Sequence, residues 1–85
     1  MKDIRVLGIH INDRVKNAVG IQNILTKYGC SIRTRLGLHD VVDEYSNEGG
    51  LILLELIGDR AEWLKLENEL LAIDQLEVQK MEFNA

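Results

Sequence analysis

Apolar positions along the chain change their spacing several times, and each change indicates a new element. Residues 4–11, IRVLGIHI, are rich in apolar and β-branched side chains, which predicts a first strand. This run stops at Asn12 and Asp13, a pair suited to a turn and to capping a helix. Apolar side chains from Arg14 to Tyr28 then recur every three or four residues, which predicts an amphipathic helix that ends at Gly29.

The next apolar pattern is a strict alternation. Residues 31–39, SIRTRLGLH, place Ile32, Thr34, Leu36 and Leu38 on one side and Arg33, Arg35, Gly37 and His39 on the other. Such alternation predicts a second strand with one solvated face. Residues 40–49 are polar and acidic, which predicts a long hairpin loop, and a third strand is expected from about Gly50.

The last third of the chain predicts a second helix and a fourth strand. Asp59 and Glu62 have the spacing of a capping box, so the helix is expected to begin there. Its apolar stripe consists of Trp63, Leu66, Leu70 and Ile73. Residues 76–83, LEVQKMEF, alternate again as a strand.

The order strand, helix, strand, strand, helix, strand predicts one domain over residues 1–85. Its fold class is α+β: a ferredoxin-like βαββαβ sandwich, with a four-stranded antiparallel sheet of order 4-1-3-2 and two helices on one face. Strands 1 and 3, central in this order, are the most apolar, and the two edge strands carry the regular charges.

Strand 3 is apolar on both of its faces, although two helices cover only one face of the sheet. Its two sets of positions are Leu51, Leu53 and Ile57 on one face, and Ile52, Leu54 and Leu56 on the other. We expect the helix-free face to be covered by another copy of the chain, in a homodimer or homotetramer. The alternative is a monomer that tolerates an apolar face.

Charge and cysteine content narrow the classes of partner. The chain has 14 acidic and 10 basic residues and a net charge of -4, which argues against direct binding of nucleic acid. The lone Cys30 cannot form an internal disulfide bond, and the N-terminus does not read as a signal peptide. No apolar run approaches the roughly 20 residues of a membrane span, so a cytoplasmic protein without a membrane partner is expected.

Three segments carry a family resemblance: GIHINDRVKNAVGIQNILTKYGCSIRTRLGLHD, LILLELIGD and LEVQKMEF. Together they resemble the small iron-only hydrogenase system regulator family. Members of that family resemble the C-terminal ligand-binding domain of nickel-responsive repressors and, more distantly, ACT domains. The resemblance implies a regulatory role associated with hydrogenase maturation and no catalytic residues.

The resemblance to nickel-responsive domains implies a metal site shared between subunits, built from histidines and a cysteine around strands 2 and 3. His39 lies near such a position, but Gly49, Gly50 and Leu51 occupy the place of the cysteine. His10 and His39 are expected on the same exposed face, two strand spacings of ~4.8 Å apart, too far for one ion. No metal and no cofactor are therefore predicted.

The resemblance to ACT domains implies a small effector at the turn after strand 1. The ligand-binding candidates are Asp13 and Arg14 in that turn, with Arg35 and His39 on strand 2. An anionic ligand would meet Arg14 and the free N-H groups of the first helix. Each candidate also has a simpler interpretation, since Asp13 suits a helix cap and Arg35 suits a solvated edge strand.

Three functions remain open. The favoured one is a non-enzymatic oligomeric regulatory domain that senses a small ligand or docks on a partner protein. The second is a transcriptional regulator that acts through a DNA-binding partner, because strand 1 begins at about Ile4 and no ribbon-helix-helix segment is expected before it. The third is a small metal-dependent enzyme, although Cys30 is predicted at the opposite end of the sheet from both histidines.

Overall fold

A computed structural model of the chain describes residues 3–12, 16–39 and 50–84. Its elements follow the predicted order and are β1 (Ile4–Ile11), α1 (Ala18–Lys27), β2 (Ile32–His39), β3 (Gly50–Leu56), α2 (Arg60–Leu71) and β4 (Glu77–Phe83). A short 3-10 turn over Gly29–Ser31 connects α1 to β2. The predicted hairpin loop over residues 40–49 lies outside the described residues.

The four strands form one sheet of order β2-β3-β1-β4, in which every neighbouring pair is antiparallel. This confirms the ferredoxin-like α+β fold and its predicted strand order. Both helices pack on one face of the sheet, where alternate strand residues meet them. The buried apolar core comprises Leu7, Ile9, Ile21, Leu25, Tyr28, Ile52, Leu54, Leu56, Trp63, Leu66 and Leu70.

The first helix begins later than its apolar spacing predicts. Helix α1 starts at Ala18, and Asn17 is its N-cap, with the side-chain Oδ1 2.9 Å from the Gly20 backbone N-H that donates to it. An N-cap residue has non-helical backbone angles, so the predicted start at Arg14 is wrong. A Cβ at position 20 would collide with the Asn17 side chain, and glycine there allows the cap to close. Asp13, the predicted cap, lies outside the described residues.

The second helix begins where its capping residues predict. The Asp59 side chain accepts a hydrogen bond from the Ala61 backbone N-H at 2.9 Å. Trp63 is fully buried and donates its indole N-H to the Ile57 carbonyl at 2.9 Å, which fixes α2 to the end of β3. Helices α1 and α2 have 10 and 12 residues, and within the described ranges no helix is long and apolar enough to cross a membrane.

A β-bulge changes the face assignment of the second strand. Ile32 pairs with Leu56 and Thr34 pairs with Glu55, so Arg33 is an extra residue that β3 does not match. One extra residue moves the following side chains to the other face. Ile32 therefore packs against the core while Leu36 lies on the helix-free face, and the prediction that these two share a face is wrong.

We predict that Leu54→Ala lowers the free energy of unfolding by about 3 kcal/mol, since it removes a side chain that is 1% exposed and leaves a cavity. Urea denaturation followed by circular dichroism would measure the change. Leu64→Ala is the matched control, because Leu64 is 51% exposed on α2 and should change the free energy by less than about 0.5 kcal/mol. Equal losses in the two variants would contradict the assignment of the core.

Candidate functional site

The sheet face that no helix covers is called the open face below. Its described residues are Ile4, Val6, Gly8 and His10 of β1, Thr34 and Leu36 of β2, Leu51, Leu53 and Glu55 of β3, and Glu77, Gln79, Met81 and Phe83 of β4. Leu36, Met81 and Phe83 have relative exposures of 49%, 57% and 54%. The apolar residues of the two central strands lie between these three, and seven of the thirteen residues named above are apolar.

A shallow cavity of about 280 Å³ interrupts the open face. It is lined by Gly8, His10, Leu51, Glu77 and Gln79. The imidazole Nδ1 of His10 lies 3.5 Å from a Glu77 carboxylate oxygen, and the Gln79 amide donates to the other oxygen at 3.1 Å. Glu77 is thus held from two sides. Gly8 adds no side chain, which leaves room above the sheet centre.

Charged groups at the β2 side of the open face are also paired within the chain. The Glu55 carboxylate accepts a hydrogen bond from the Thr34 hydroxyl at 2.8 Å. Its same oxygen lies 4.0 Å from the Arg33 Nε. Glu77, on the opposite side, is held by Gln79, so apolar residues lie between two carboxylates that each have a partner within the chain.

Beneath the sheet, on the helix side, lies a buried ion-pair cluster. Arg5 is 4% exposed, and its guanidinium donates to Glu67 at 2.6 Å and also to Glu82. Glu67 is 6% exposed and lies 3.4 Å from the Lys80 ammonium. The Arg5 guanidinium is 5.5 Å from the centre of the Trp63 ring, within the range of a cation-π contact. The cluster joins β1, α2 and β4.

Hydrogen bonds set the charge states in this cluster. Donation to Glu67, and then to Glu82, raises the pKa of Arg5 above its usual value, so Arg5 stays charged. Hydrogen bonds from Arg5 and Arg60 lower the pKa of Glu82. Sequence reasoning missed Arg5 and Glu67. Two features of the sequence could have indicated these residues. Arg5 follows the same alternation as Leu7 on β1, and Glu67 lies beside the apolar stripe of α2.

Two of the four predicted ligand-binding residues, Arg35 and His39, lie in the described part of the chain. Asp13 and Arg14 lie outside the described residues. Arg35 pairs with Leu54 on the helix side of the sheet, and its guanidinium donates to the Gln22 side chain. His39, the last residue of β2, pairs with Gly50. His39 is four positions after Arg35, which corresponds to about 13 Å along a strand.

One expectation about a shared face is wrong. Arg33 contacts Glu55 of the open face while Arg35 contacts α1, because the bulge at Arg33 separates the two arginines. Along the sheet, His10 pairs with Leu51 and the backbone of His39 pairs with Gly50. Both histidines do lie at the same end of the sheet, as predicted.

Cys30 is exposed in the 3-10 turn before β2. Ile32, the first residue of β2, pairs with Leu56, which in turn pairs with Arg5. The cysteine therefore lies at the Arg5 end of the sheet, opposite His10, as predicted. Within residues 3–12, 16–39 and 50–84, no group of three or more His, Cys, Asp and Glu side chains is placed to hold a metal ion.

The topology and the packing of both helices on one face define a ferredoxin-like domain. Among solved structures, the chain is similar to the uncharacterized protein TM1266 of Thermotoga maritima, with a TM-score of 0.79 and 23% sequence identity. The alignment covers 99% of this chain and 100% of that one. No protein-family model matches the chain, and no curated protein matches it.

Two further structures are more distant. CPII of Thiomonas intermedia K12, solved with ADP, AMP and acetate, gives a TM-score of 0.49 and 12% identity over 98% of this chain and 90% of that one. A dimeric ferredoxin-like protein of Thermobifida fusca gives 0.49 and 12% over 96% and 92%. At 23% identity the likeness to TM1266 shows the fold alone.

We predict that Glu82→Gln destabilises the fold at neutral pH and that this loss diminishes in acid. The pKa of Glu82 is lowered on folding, so its carboxylate stabilises the fold above its ordinary value of 4.5. That contribution disappears as the pH falls through the lower folded pKa. Urea unfolding of both proteins from pH 7 to pH 3 would show the difference between them narrowing below about pH 4.5.

Glu77→Gln provides a control for Glu82→Gln, since it removes a carboxylate from the same strand but outside the Arg5 cluster. It should lower the stability at pH 7 by less than Glu82→Gln does. A constant difference between wild type and Glu82→Gln from pH 7 to pH 3 would contradict the role given to the Glu82 carboxylate.

Proposed function

We propose that the chain is a cytoplasmic, non-enzymatic regulatory domain that assembles into a homodimer or homotetramer through the open face. Its role is in the iron-only hydrogenase system, where it senses a small ligand or docks on a partner protein. The observation that carries the assembly is the group of apolar side chains on the helix-free side, which includes Leu36, Leu53 and Met81. The hydrogenase association rests on the sequence resemblance.

The size of the open face supports an interface. Four strands ~4.8 Å apart and seven residues long, at ~3.3 Å per residue, give a projected area on the order of 400 Å². This is the area of the whole face, and its apolar residues occupy about half of its positions. Exposed apolar patches of a few hundred Å² commonly mark association sites.

The charges of the open face support a second copy of the chain as the occupant. Glu55 lies beside Arg33, and Glu77 accepts a hydrogen bond from the Gln79 amide, so both carboxylates of the face have a partner within the chain. An isologous interface brings each patch against the same patch on its partner, and carboxylates without partners would repel each other there. The partners of Glu55 and Glu77 reduce that repulsion.

The non-enzymatic assignment rests on the surroundings of His10. The described residues that line the open-face cavity with it include no Ser, Thr or Cys to act as a nucleophile. Arg5 and His10 are five positions apart along β1, a separation of about 17 Å. Cys30 lies beyond the Arg5 end of the sheet.

We predict that Leu36→Glu converts the assembled protein to a folded monomer, because the new carboxylate would lose its hydration inside the interface. Native mass spectrometry at micromolar protein concentration would give the mass, and circular dichroism would confirm the fold. Leu64→Glu is the matched control. The two leucines are 49% and 51% exposed, but Leu64 lies on α2, so its variant should keep the wild-type mass.

Leu53→Glu tests the same interface from a central strand and should also reduce the mass. Leu54→Glu, one residue along on the helix side, should unfold the protein instead. A wild-type monomer, or a mass that neither Leu36→Glu nor Leu53→Glu changes, would refute assembly through the open face.

The hydrogenase association has a separate test in cells that produce both this protein and an iron-only hydrogenase. Deleting the chain should change hydrogenase activity in cell extracts at least about twofold, which exceeds ordinary culture variation. Restoring wild type or Leu64→Glu should reverse the change, while Leu36→Glu should not. Unchanged hydrogenase activity after deletion would refute the association while leaving assembly intact.

A further inference from the structure

A second concavity lies on the helix side of the sheet, between the start of α1 and the end of α2. Its volume is about 520 Å³, which is within the range of about 300–1,000 Å³ typical of small-molecule pockets. We call it the helix-end cleft. The residues used below are Lys16, Asn17, Ile24, Glu69, Ile73 and Asp74, all of which line it.

The two walls of the helix-end cleft carry opposite charge. Lys16 precedes the N-terminal end of α1, where the N-H groups of the first turn add partial positive charge, although Asn17 caps that of Gly20. Glu69 and Asp74 lie at the opposite wall, close to the C-terminal end of α2 and its partially negative carbonyl groups. Ile24 and Ile73, both partly buried against the core, line the cleft as well.

The C-terminal end of α2 lacks the basic side chain that helices usually carry there. No basic residue occupies the last turn of α2, although a cation there would be favourable. Glu69 accepts hydrogen bonds from the Tyr28 hydroxyl and, at 3.0 Å, from Lys27, and these contacts lower its pKa and keep it charged. In the described part of the chain, Asp74 and Lys16 have no hydrogen-bond or ion-pair partner.

We propose that the helix-end cleft binds a small linear zwitterion, with its ammonium and carboxylate groups at opposite ends of an apolar segment. Lys16 and the start of α1 receive the carboxylate. Asp74, with Glu69 beside it, receives the ammonium. The apolar segment lies over Ile24 and Ile73. A ligand with both charges satisfies both walls at once, whereas a simple anion or cation leaves one wall unpaired.

This inference deepens the sensing part of the proposed function and rests on it for its biological meaning. The binding itself is independent of assembly, because the cleft involves the two helices while the open face lies on the other side of the sheet. A monomeric variant and the assembled protein should therefore both bind, and the failure of one proposal would be distinguishable from the failure of the other.

The test uses 6-aminohexanoate as the probe in an NMR titration of the ¹⁵N-labelled protein. Saturable shifts should appear in the amides of residues 16–24 and 69–74, and those of β4 residues on the open face should stay unchanged. Hexanoate lacks the ammonium and hexylamine lacks the carboxylate, so each should bind at least about tenfold more weakly. The monomeric Leu36→Glu variant should still show the shifts.

Two variants that each remove one charge test the two walls. Lys16→Gln and Asp74→Asn should each weaken binding of 6-aminohexanoate about three- to tenfold, as expected for one exposed charge-assisted contact. Lys65→Gln on α2, outside the cleft, should leave binding unchanged. The proposal is overturned if no shifts appear in the cleft up to about 20 mM probe, a concentration well above a millimolar Kd. Equal binding of hexanoate, or full binding by both variants, would also overturn it.

Discussion

Two helices of 10 and 12 residues can cover one face of a four-stranded sheet and no more. Strand side chains alternate between faces, so every inward residue such as Leu54 has neighbours such as Leu53 that point the other way. The central strands are apolar in both sets of positions. The same composition that builds the core therefore builds the open face, and only contact with another molecule would remove that second apolar surface from water.

The helix-covered face also has to accommodate Arg5, which follows the same alternation as Leu7 on β1. Burying a guanidinium and a carboxylate costs several kcal/mol of desolvation each, so the pair is weak evidence of net stabilisation. Its geometry is specific, however, because Glu67 belongs to α2 and Glu82 to β4. A strand or helix shifted by one residue would leave Arg5 buried without a carboxylate. The cluster thus favours one register of α2 and β4 on β1.

The regular spacing of apolar residues predicted the order of helices and strands. Two local features explain where the helix start and a face assignment were wrong. The Asn17 cap displaced the start of α1 because a side-chain hydrogen bond outweighed the apolar spacing before it. The unpaired Arg33 inverted the later part of β2, and alternation alone carries no sign of a bulge. The helix-end cleft could not be predicted from local patterns, because its residues come from distant parts of the sequence. Lys16 and Asp74 are 58 positions apart in sequence and meet only because α1 starts where α2 ends.

The helix-end cleft and the open face are on opposite sides of the sheet, yet one short segment links them. Asp74 lines the cleft and Glu77 lines the open-face cavity, with two residues between them. One of these, Gln75, has a φ of 64°, a backbone conformation that few residues other than glycine adopt. Because binding in the cleft is independent of assembly, assembled and monomeric protein should bind the probe with equal affinity. Coupling is reciprocal, so a ratio of these two affinities different from one would measure how far ligand binding favours assembly.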